Sequence, residues 1–546
     1  ELLAFGGGFA FLMSPVLTPN STSCIAREFL GWVRPALPEA ARRLARRYRQ
    51  RDTLDLGCVI VVVPGQRAGR RLLELLAFLA EDEGLLFTPP QVVTEGLLPE
   101  LLYPPKKPFA SDLVQDLTWA QVLRDLPAQM RHNIVPQPPA DGDTRRWSEL
   151  GQVLRRLHRE LAADGLDFAA VLKSAPKLAH FNETQRWQAL TELQRRYHVL
   201  LDAQELWDKQ TARLKAIEFR EIETDKDIVL LGTVDLNDSL RQMLDQVADR
   251  VTAYVVAPES LADHFDAKGC LVSECWRRAA MPFKDDQIVQ VEGPAEQADA
   301  VAFWLAGVAA RRRKDEVAIG VPDEALVPQL QRQLKQLGVA ARWVEGVRLA
   351  DTAPYRLLAA AVEFAGSRRY DDLAALVRHP DLEEWLNPRA AQRLFDPGAA
   401  KDRNNVPGAG SLPAQLDRFY SARLPSRMAA RDVDKEAVAW PDLAAALARI
   451  EAWLAEAAAS RPLRDWGDCF RSLLGAIYDR RILELENHGD EVIGWTIKTI
   501  LAACAQLGSL PAALDTAALA AADAFHLALK PIATETLPPP ADPDAV

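Results

Sequence analysis

The sequence has few of the residues and patterns that mark membrane, secreted or metal-binding proteins. Its 546 residues include only six cysteines and eight histidines, and only Cys270 and Cys275 lie near each other. No Cys/His group has the spacing of a zinc site, and no run of about 18 uncharged apolar residues is long enough to cross a bilayer. The scattered cysteines favour a reduced, cytoplasmic protein with no membrane partner. We expect no metal site and no cofactor in this segment.

The sequence also lacks an overall excess of positive charge. It has 76 acidic and 65 basic side chains and a net charge of −11, so any contact with nucleic acid must come from local basic patches. Two such patches are candidates, although either one could be no more than a solvated helix face. They consist of Arg42, Arg43, Arg46 and Arg47, and of Arg311, Arg312, Arg313 and Lys314.

A complete phosphate-binding motif is missing from the place where one is expected. The continuous apolar run at 58–63 predicts a strand buried on both faces of a parallel sheet, followed by a helix at 66–83. A functional loop at this junction needs G-x-x-x-x-G-K-[ST]. Here the spacing is one residue short, Arg70 stands in the Lys position and Arg71 replaces the hydroxyl, so Mg–ATP chemistry is not expected. The candidate contacts of this degenerate loop, with phosphate or with DNA, are Gly65, Arg67, Gly69, Arg70 and Arg71.

Acidic catalytic motifs are missing as well. An Asp-Glu pair would be expected after the later strand at 227–231, but the chain continues as Gly232-Thr233. Asp235 and Asp238 follow at a predicted helix start, where capping is the simpler role. Asp266 and Lys268 fit the short D-x-K pattern of a nuclease, but 261–268 is predicted to be a helix and not the strand that such a site needs. No catalytic residue is assigned.

The chain is long enough for two to four domains. Strand and helix patterns predict two α/β units, the second with strands at 288–291, 316–321 and 339–343, and two helical blocks. The predicted boundaries are an N-terminal extension (1–24), a first α/β domain in two parts (25–111 and 226–286) separated by a helical insertion (112–225), a second α/β domain (287–351), a helical domain (352–535) and a Pro-rich linker that is cut short (536–546).

Several segments resemble one protein family. VVVPGQRAGRRL at 61–72, TEGLLPELL at 94–102 and VLLGTVDLNDSLRQML at 229–244 are similar to the inactivated N-terminal superfamily-1 helicase domain of AddB/RexB subunits, which act in bacterial double-strand-break repair. EVAIGVPD at 316–323, VEGVRLADTAPYRLL at 344–358 and VRHPDL at 377–382 resemble the second core of that family. Glu324 departs from the family, which often has Arg at this position.

The resemblance implies two RecA-like parallel-sheet domains, each with a large helical insertion or appendage. It implies a helicase-like scaffold that does not hydrolyse ATP, binds a single strand or a duplex end of DNA, and pairs with an AddA-like helicase–nuclease subunit. A full-length parent would add a PD-(D/E)XK nuclease with Mg²⁺ and an iron–sulfur cluster, which this segment does not contain. The alternatives are an active ATPase or helicase with an unusual loop, and a purely structural partner-binding subunit.

Overall fold

The computed structural model describes residues 25–177, 181–280, 284–308, 311–312, 317–386, 411–429, 440–484, 487–515 and 517–539. The predicted extension at 1–24 and most of the predicted linker lie outside these ranges. The described residues belong to two compact units. The first unit falls within 1–109, 156–194 and 201–281, and the second within 110–155, 195–200 and 282–546. The domain boundaries drawn from the sequence remain predictions.

The strands are short. In chain order they are β1 (Ala26–Phe29), β2 (Arg49–Gln50), β3 (Thr53–Asp55), β4 (Val59–Val63), β5 (Leu86–Thr88), β6 (Gln91–Thr94), β7 (Asp227–Leu231), β8 (Val251–Val255), β9 (Val347–Arg348), β10 (Arg461–Pro462), β11 (Ala518–Leu519) and β12 (Thr536–Leu537). The first eight lie in the first unit. The other four lie in the second unit, where they form two antiparallel pairs, β9 with β12 and β10 with β11.

The helices are the larger part of the fold. In chain order they are α1 (Ala36–Tyr48), α2 (Gln66–Asp82), α3 (Asp112–Arg124), α4 (Ala128–Ile134), α5 (Thr144–Ala163), α6 (Phe168–Ser174), α7 (Thr184–Asp202), α8 (Lys209–Glu218), α9 (Asp238–Gln246), α10 (Ser273–Arg278), α11 (Pro294–Val308), α12 (Val327–Gln336), α13 (Ala353–Ser367), α14 (Tyr370–Val377), α15 (Pro380–Leu386), α16 (Leu412–Arg423), α17 (Pro441–Trp453), α18 (Trp466–Tyr478), α19 (His488–Gly508) and α20 (Ala521–Ala528). No helix among the described residues is both long enough and apolar enough to cross a membrane.

The first unit is built on a five-stranded parallel sheet in the order β1-β8-β7-β4-β6. All five residues of β4 are buried, because successive side chains point to opposite faces and helices cover both faces. Val61 and Val63 pack with leucines of α1 and α2, whereas Ile60 and Val62 pack with α9. The predicted α/β class, with a parallel sheet and helical additions, is confirmed.

A short three-stranded sheet, in the order β2-β3-β5, lies beside the main sheet in the same unit. β3 pairs with β5 in parallel and with β2 antiparallel. Leu54 of β3 is fully buried and belongs to the same core as the α1 and α2 leucines. This small sheet therefore extends the layer of α1 and α2.

The second unit is mainly helical. The rings of Tyr355, Phe470 and Phe525 join α13, α18 and α20, with centroid distances of 5.3 Å for Tyr355–Phe525 and 6.3 Å for Phe470–Phe525. Trp466 is fully buried, and its indole N–H donates to the Leu519 carbonyl at 3.1 Å. These aromatic contacts form the centre of the helical block.

The strands predicted for a second parallel sheet are not formed in the described part of the second unit. The segments 288–291, 317–321 and 339–343 have no strand assignment, although α11 and α12 pack against each other as helices of such a unit would. A β-forming run becomes a strand only where another segment offers its backbone groups for pairing. In the described residues no segment does so for these three runs, and the prediction of strands there is wrong.

Candidate functional site

The order of the strands indicates which end of the main sheet is the candidate binding site. From β4 the chain moves to β6 on one side, and it later returns to β7 on the other side of β4. In α/β sheets, ligands bind outside the carboxyl ends of the strands where the strand order reverses in this way. We call the segments that follow β1, β8, β7, β4 and β6 the carboxyl edge.

The predicted phosphate loop contains only two residues. Pro64 and Gly65 alone separate β4 from α2, and Gly65 is the N-cap. Gly69 already bonds within the helix, since its N–H donates to the Gly65 carbonyl at 3.3 Å. A phosphate cradle needs several free backbone N–H groups arranged around the anion, and helical residues beyond the first turn have none to offer. The predicted helix is confirmed at Gln66–Asp82, so Arg67, Gly69, Arg70 and Arg71 all lie on α2.

The three arginines at the start of α2 have different surroundings. Arg71 Nη1 forms an ion pair with Glu74 Oε2 at 2.9 Å. Arg67 and Arg70 are exposed and have no hydrogen-bond or ion-pair partner within the described residues. They stand three positions apart and so share a helix face. Two uncompensated cations thus lie near the positive end of the α2 dipole, where anions are favoured.

The helix that bears these arginines is held closely against the sheet. Gly69 is buried, and a Cβ atom added there would lie 2.7 Å from Cγ1 of Val92 in β6. The same atom would lie 3.4 Å from Cγ2 of Val63 in β4. The absence of a side chain at Gly69 therefore allows α2 to pack closely against the sheet.

A second strand-to-helix junction at this edge was missed by the sequence reasoning. Six residues, 30–35, connect β1 to α1, and Gly31 adopts a left-handed φ of 72°. Leu30 N–H donates to the Val255 carbonyl at 2.8 Å, and Gly31 N–H donates to the Ala257 carbonyl at 2.9 Å. The signal that was overlooked is the short run 26–30, followed by Gly31, with Pro35 immediately before an amphipathic helix.

This junction also lacks the features of a phosphate site. Glu39 lies in the first turn of α1, where its charge already complements the helix dipole. Arg34 Nη1 is 3.7 Å and Arg42 Nη1 is 2.5 Å from Glu39 Oε2. Desolvation acts to raise the pKa of Glu39, but a hydrogen bond from Arg43 and the charges of the neighbouring arginines together lower it. A carboxylate therefore occupies the position that a bound phosphate would need.

The basic patch on α1 is largely engaged in internal contacts. Three of its four arginines have partners: Arg42 with Glu39, Arg43 Nη2 with the Phe29 carbonyl (2.8 Å), and Arg47 Nη1 with Thr252 Oγ1 (3.2 Å). Arg46 is exposed and has no partner in the part of the chain that is described. This arrangement favours a structural role for most of the patch.

The last turn of α1 and the first turn of α2 lie at opposite ends of the strands of the sheet. Tyr48, at the end of α1, donates its hydroxyl to Oδ2 of Asp227, the first residue of β7, at 2.8 Å. Since α1 runs back along the sheet, Arg46 and Arg47 lie near the amino ends of the strands. Arg67 and Arg70 lie near the carboxyl ends, so they do not form one surface with Arg46 and Arg47, whereas Arg43 contacts the Phe29 carbonyl at the carboxyl end of β1.

The second predicted basic patch is only partly described. Arg311 and Arg312 are exposed and follow the end of α11 in the second unit. Arg313 and Lys314 lie outside the described residues. This patch therefore stays a prediction.

The carboxylates predicted to cap a helix have other roles. Asn237 is the N-cap of α9, and its Oδ1 accepts from Leu240 N–H at 2.9 Å. Asp235 lies 4.0 Å from Arg241, at the edge of ion-pair distance. Asp235 also affects Glu95, the residue that follows β6. The pKa of Glu95 is raised mainly by burial and to a smaller extent by the negative charge of Asp235. The assignment of Asp235 and Asp238 as capping groups is corrected to Asn237.

The D-x-K segment has no nuclease-like geometry. Residues 266–268 form a turn after a short 3-10 helix at Glu259–His264, so the helix predicted at 261–268 ends earlier than expected. Asp266 Oδ2 pairs with Arg241 Nη1 at 2.5 Å, and Lys268 Nζ pairs with Asp245 Oδ1 at 2.5 Å. Both side chains of the motif are thus engaged in separate ion pairs.

A buried polar group in the first unit also escaped the sequence reasoning. His158 Nε2 lies 3.0 Å from Asp208 Oδ1, and its Nδ1 lies 3.0 Å from Gln194 Nε2. Asp208 also caps α8 by accepting from Thr211 N–H at 2.9 Å. Burial acts to raise the pKa of Asp208, but the His158 and Thr211 contacts outweigh it and lower the pKa to about 2. The group ties α5 and α7 to α8.

The carboxyl edge therefore has a two-residue turn, the 30–35 loop, which contains Trp32, and two cations, Arg67 and Arg70, with no partner among the described residues. Comparison of the sequence with models of known protein families and with curated proteins finds no match. The chemistry of this edge is accordingly the main guide to function.

Proposed function

We propose that the chain is an AddB/RexB-type, helicase-like DNA-binding scaffold that does not hydrolyse ATP. It would serve a bacterial helicase–nuclease complex in double-strand-break end processing and recombinational repair, with an AddA-like subunit as its partner. The observation that carries the proposal is the β4–α2 junction. A sheet of the nucleotide-binding type has there a two-residue turn and two free arginines in place of a phosphate loop. Free, mostly buried thiols support a reducing, cytoplasmic location.

DNA backbone contact is the role that best fits Arg67 and Arg70. Both guanidinium groups are exposed and have no partner among the described residues, so binding a phosphate breaks no internal ion pair. A guanidinium matches the geometry of phosphate oxygens. Each phosphate that it neutralises releases condensed counterions, which makes binding dependent on salt.

ATP hydrolysis is disfavoured at both strand-to-helix junctions. Neither 64–71 nor 30–35 offers a Lys followed by a hydroxyl residue, the pair that neutralises the β/γ-phosphates and holds Mg²⁺. The first turn of α1 presents Glu39, which would repel a triphosphate. These features support a scaffold in which the motor chemistry has been lost.

The first test measures binding of a fluorescent single-stranded oligonucleotide and of a forked duplex by anisotropy, at several salt concentrations. We expect log K to fall linearly with log salt. The double variant Arg67→Ala/Arg70→Ala should weaken binding and reduce the slope on the single strand by about 1.4, since each lost phosphate contact accounts for roughly 0.7. Arg71→Ala is the matched control: its side chain is already paired with Glu74, and its slope should stay near that of the wild type.

The same measurements separate the alternatives. A salt slope near zero for the wild-type protein would overturn the DNA-binding proposal and favour a purely structural, partner-binding subunit. DNA-stimulated hydrolysis of ATP by the purified chain would instead identify an active motor with an unusual loop. If the double variant and Arg71→Ala lost the same DNA affinity, the α2 arginines would contribute only their positive charge and no specific phosphate contact.

A further inference from the structure

Trp32 is the largest exposed side chain in the loop between β1 and α1. Its side chain is 61% exposed, and the neighbouring Val33 is 99% exposed. Val256, the residue after β8, is also exposed. It lies next to Trp32, since the Trp32 indole N–H donates to the Val256 carbonyl at 2.9 Å. Exposed aromatic and aliphatic groups that lie together on a soluble protein usually mark a contact surface.

The ring of Trp32 is held in place before any ligand arrives. Its own indole bond fixes one end of the side chain, and the backbone bonds of Leu30 and Gly31 fix the loop to the end of β8. The left-handed φ of Gly31 provides the turn that directs the chain out of the sheet. A ring that is already oriented loses little conformational entropy on binding, which favours affinity.

The sheet order places Trp32 and the free arginines on one edge. All five strands run parallel, so the residues that follow β1 and β4 lie at the same end of the sheet. β8 and β7 separate these two strands, which puts their ends about 14 Å apart at three strand spacings of roughly 4.8 Å. A few nucleotides of single strand can span this distance.

We propose that Trp32 is a stacking residue for an unpaired base of single-stranded DNA whose phosphates are held by Arg67 and Arg70. The inference rests on the proposed function and adds the form of DNA that the edge accepts. Single-strand-binding proteins combine cations that follow the backbone with aromatic rings that stack on bases. Inside a duplex the faces of paired bases are covered by their neighbours, so away from a duplex end only an unpaired base can stack on the ring. The stacking is tolerant of sequence because every base has a π-face.

The test compares oligo(dT) with an abasic oligonucleotide of the same length. Trp32→Ala should bind oligo(dT) roughly tenfold more weakly than the wild type, and should bind the abasic strand equally well. Trp32→Phe keeps a ring and should retain most of the affinity. The control is Trp304→Ala, since Trp304 is 59% exposed but lies on α11 in the second unit. This variant should leave both affinities unchanged.

Each outcome supports or overturns the inference. If Trp32→Ala binds oligo(dT) like the wild type while the salt slope persists, the stacking role is refuted and the proposed function stands. If Trp32→Ala loses affinity for the abasic strand as well, Trp32 acts on folding or on a protein contact, and thermal melting of the Ala and Phe variants distinguishes these. If the wild-type protein shows no salt-dependent binding, the proposed function and the stacking role fail together.

Discussion

The substitution Gly151→Ala probes a close helix crossing in the second unit. α3 and α5 cross at Gly151, where an added Cβ atom would lie 2.2 Å from the carbonyl oxygen of Asp116. The next two atoms it would meet are the carbonyl carbon of Asp116 at 3.1 Å and the backbone nitrogen of Ala120 at 3.2 Å. All three belong to the backbone of a helix and cannot rotate away. The two helices would have to separate by about 1 Å to reach ordinary carbon–oxygen contact.

The magnitude follows from two opposing effects. Overpacking in a close-packed interior costs about 1–3 kcal/mol, and a contact with rigid backbone belongs near the upper limit. Replacing Gly by Ala inside a helix contributes about 1 kcal/mol in the favourable direction. The net loss of unfolding free energy is therefore about 2 kcal/mol. Separation would also stretch the ion pair between Arg155 Nε and Oδ1 of the buried Asp116, now 2.5 Å long, which adds to the loss.

Urea unfolding followed by circular dichroism measures this effect. Gly366→Ala is the matched control: it is the same substitution in α13 of the same unit, and its Cβ meets no atom within 4 Å. The control should gain about 0.5–1 kcal/mol. The close crossing of α3 and α5 would be refuted if Gly151→Ala were as stable as the control.

Two further predictions concern titratable groups. The pKa of Asp208 is about 2, below its ordinary 3.8, so its contribution to stability is complete above pH 3.8 and is lost as the pH falls toward 2. Asp208→Asn should therefore lose less stability than the wild type between these pH values. An equal loss of stability in the two proteins would contradict this prediction. Burial raises the pKa of the thiols of Cys270 and Cys469 to about 11 and of Cys504 to about 12, whereas Cys58 is exposed. A thiol reagent should therefore label Cys58 in the native protein far faster than Cys270, Cys469 or Cys504, and fast labelling of any of these three thiols, located by mass spectrometry, would count against their burial.

The candidate site could be predicted in part from the sequence. The apolar run of β4 and the apolar spacing of α2 placed Arg67 and Arg70 at a strand-to-helix junction, which the structure contains. The predicted strand end at 63 and helix start at 66 also leave Pro64 and Gly65 as the turn, in agreement with the structure. Trp32 was missed because β1 is only four residues long and its pattern is weak without β8 beside it.

Features that depend on near neighbours along the chain could be predicted from the residues alone. A continuous β-branched run makes β4 a strand buried on both faces, and apolar residues at helical spacing make α2 a helix. The missing Lys and hydroxyl residues already argued against ATP hydrolysis.

Features that depend on distant segments follow only from contacts in the folded protein. Arg43 and Arg47 of α1 bind β1 and β8, and Trp32 binds the residue after β8. Arg67 and Arg70 have no partner within the part of the chain that the structure describes. The β-forming run at 317–321 also has no partner strand among the described residues. The physical reason is the same in each case. Periodicity along a chain specifies which face of an element is apolar, but ion pairs and strand pairing require a second segment whose position the local pattern does not contain.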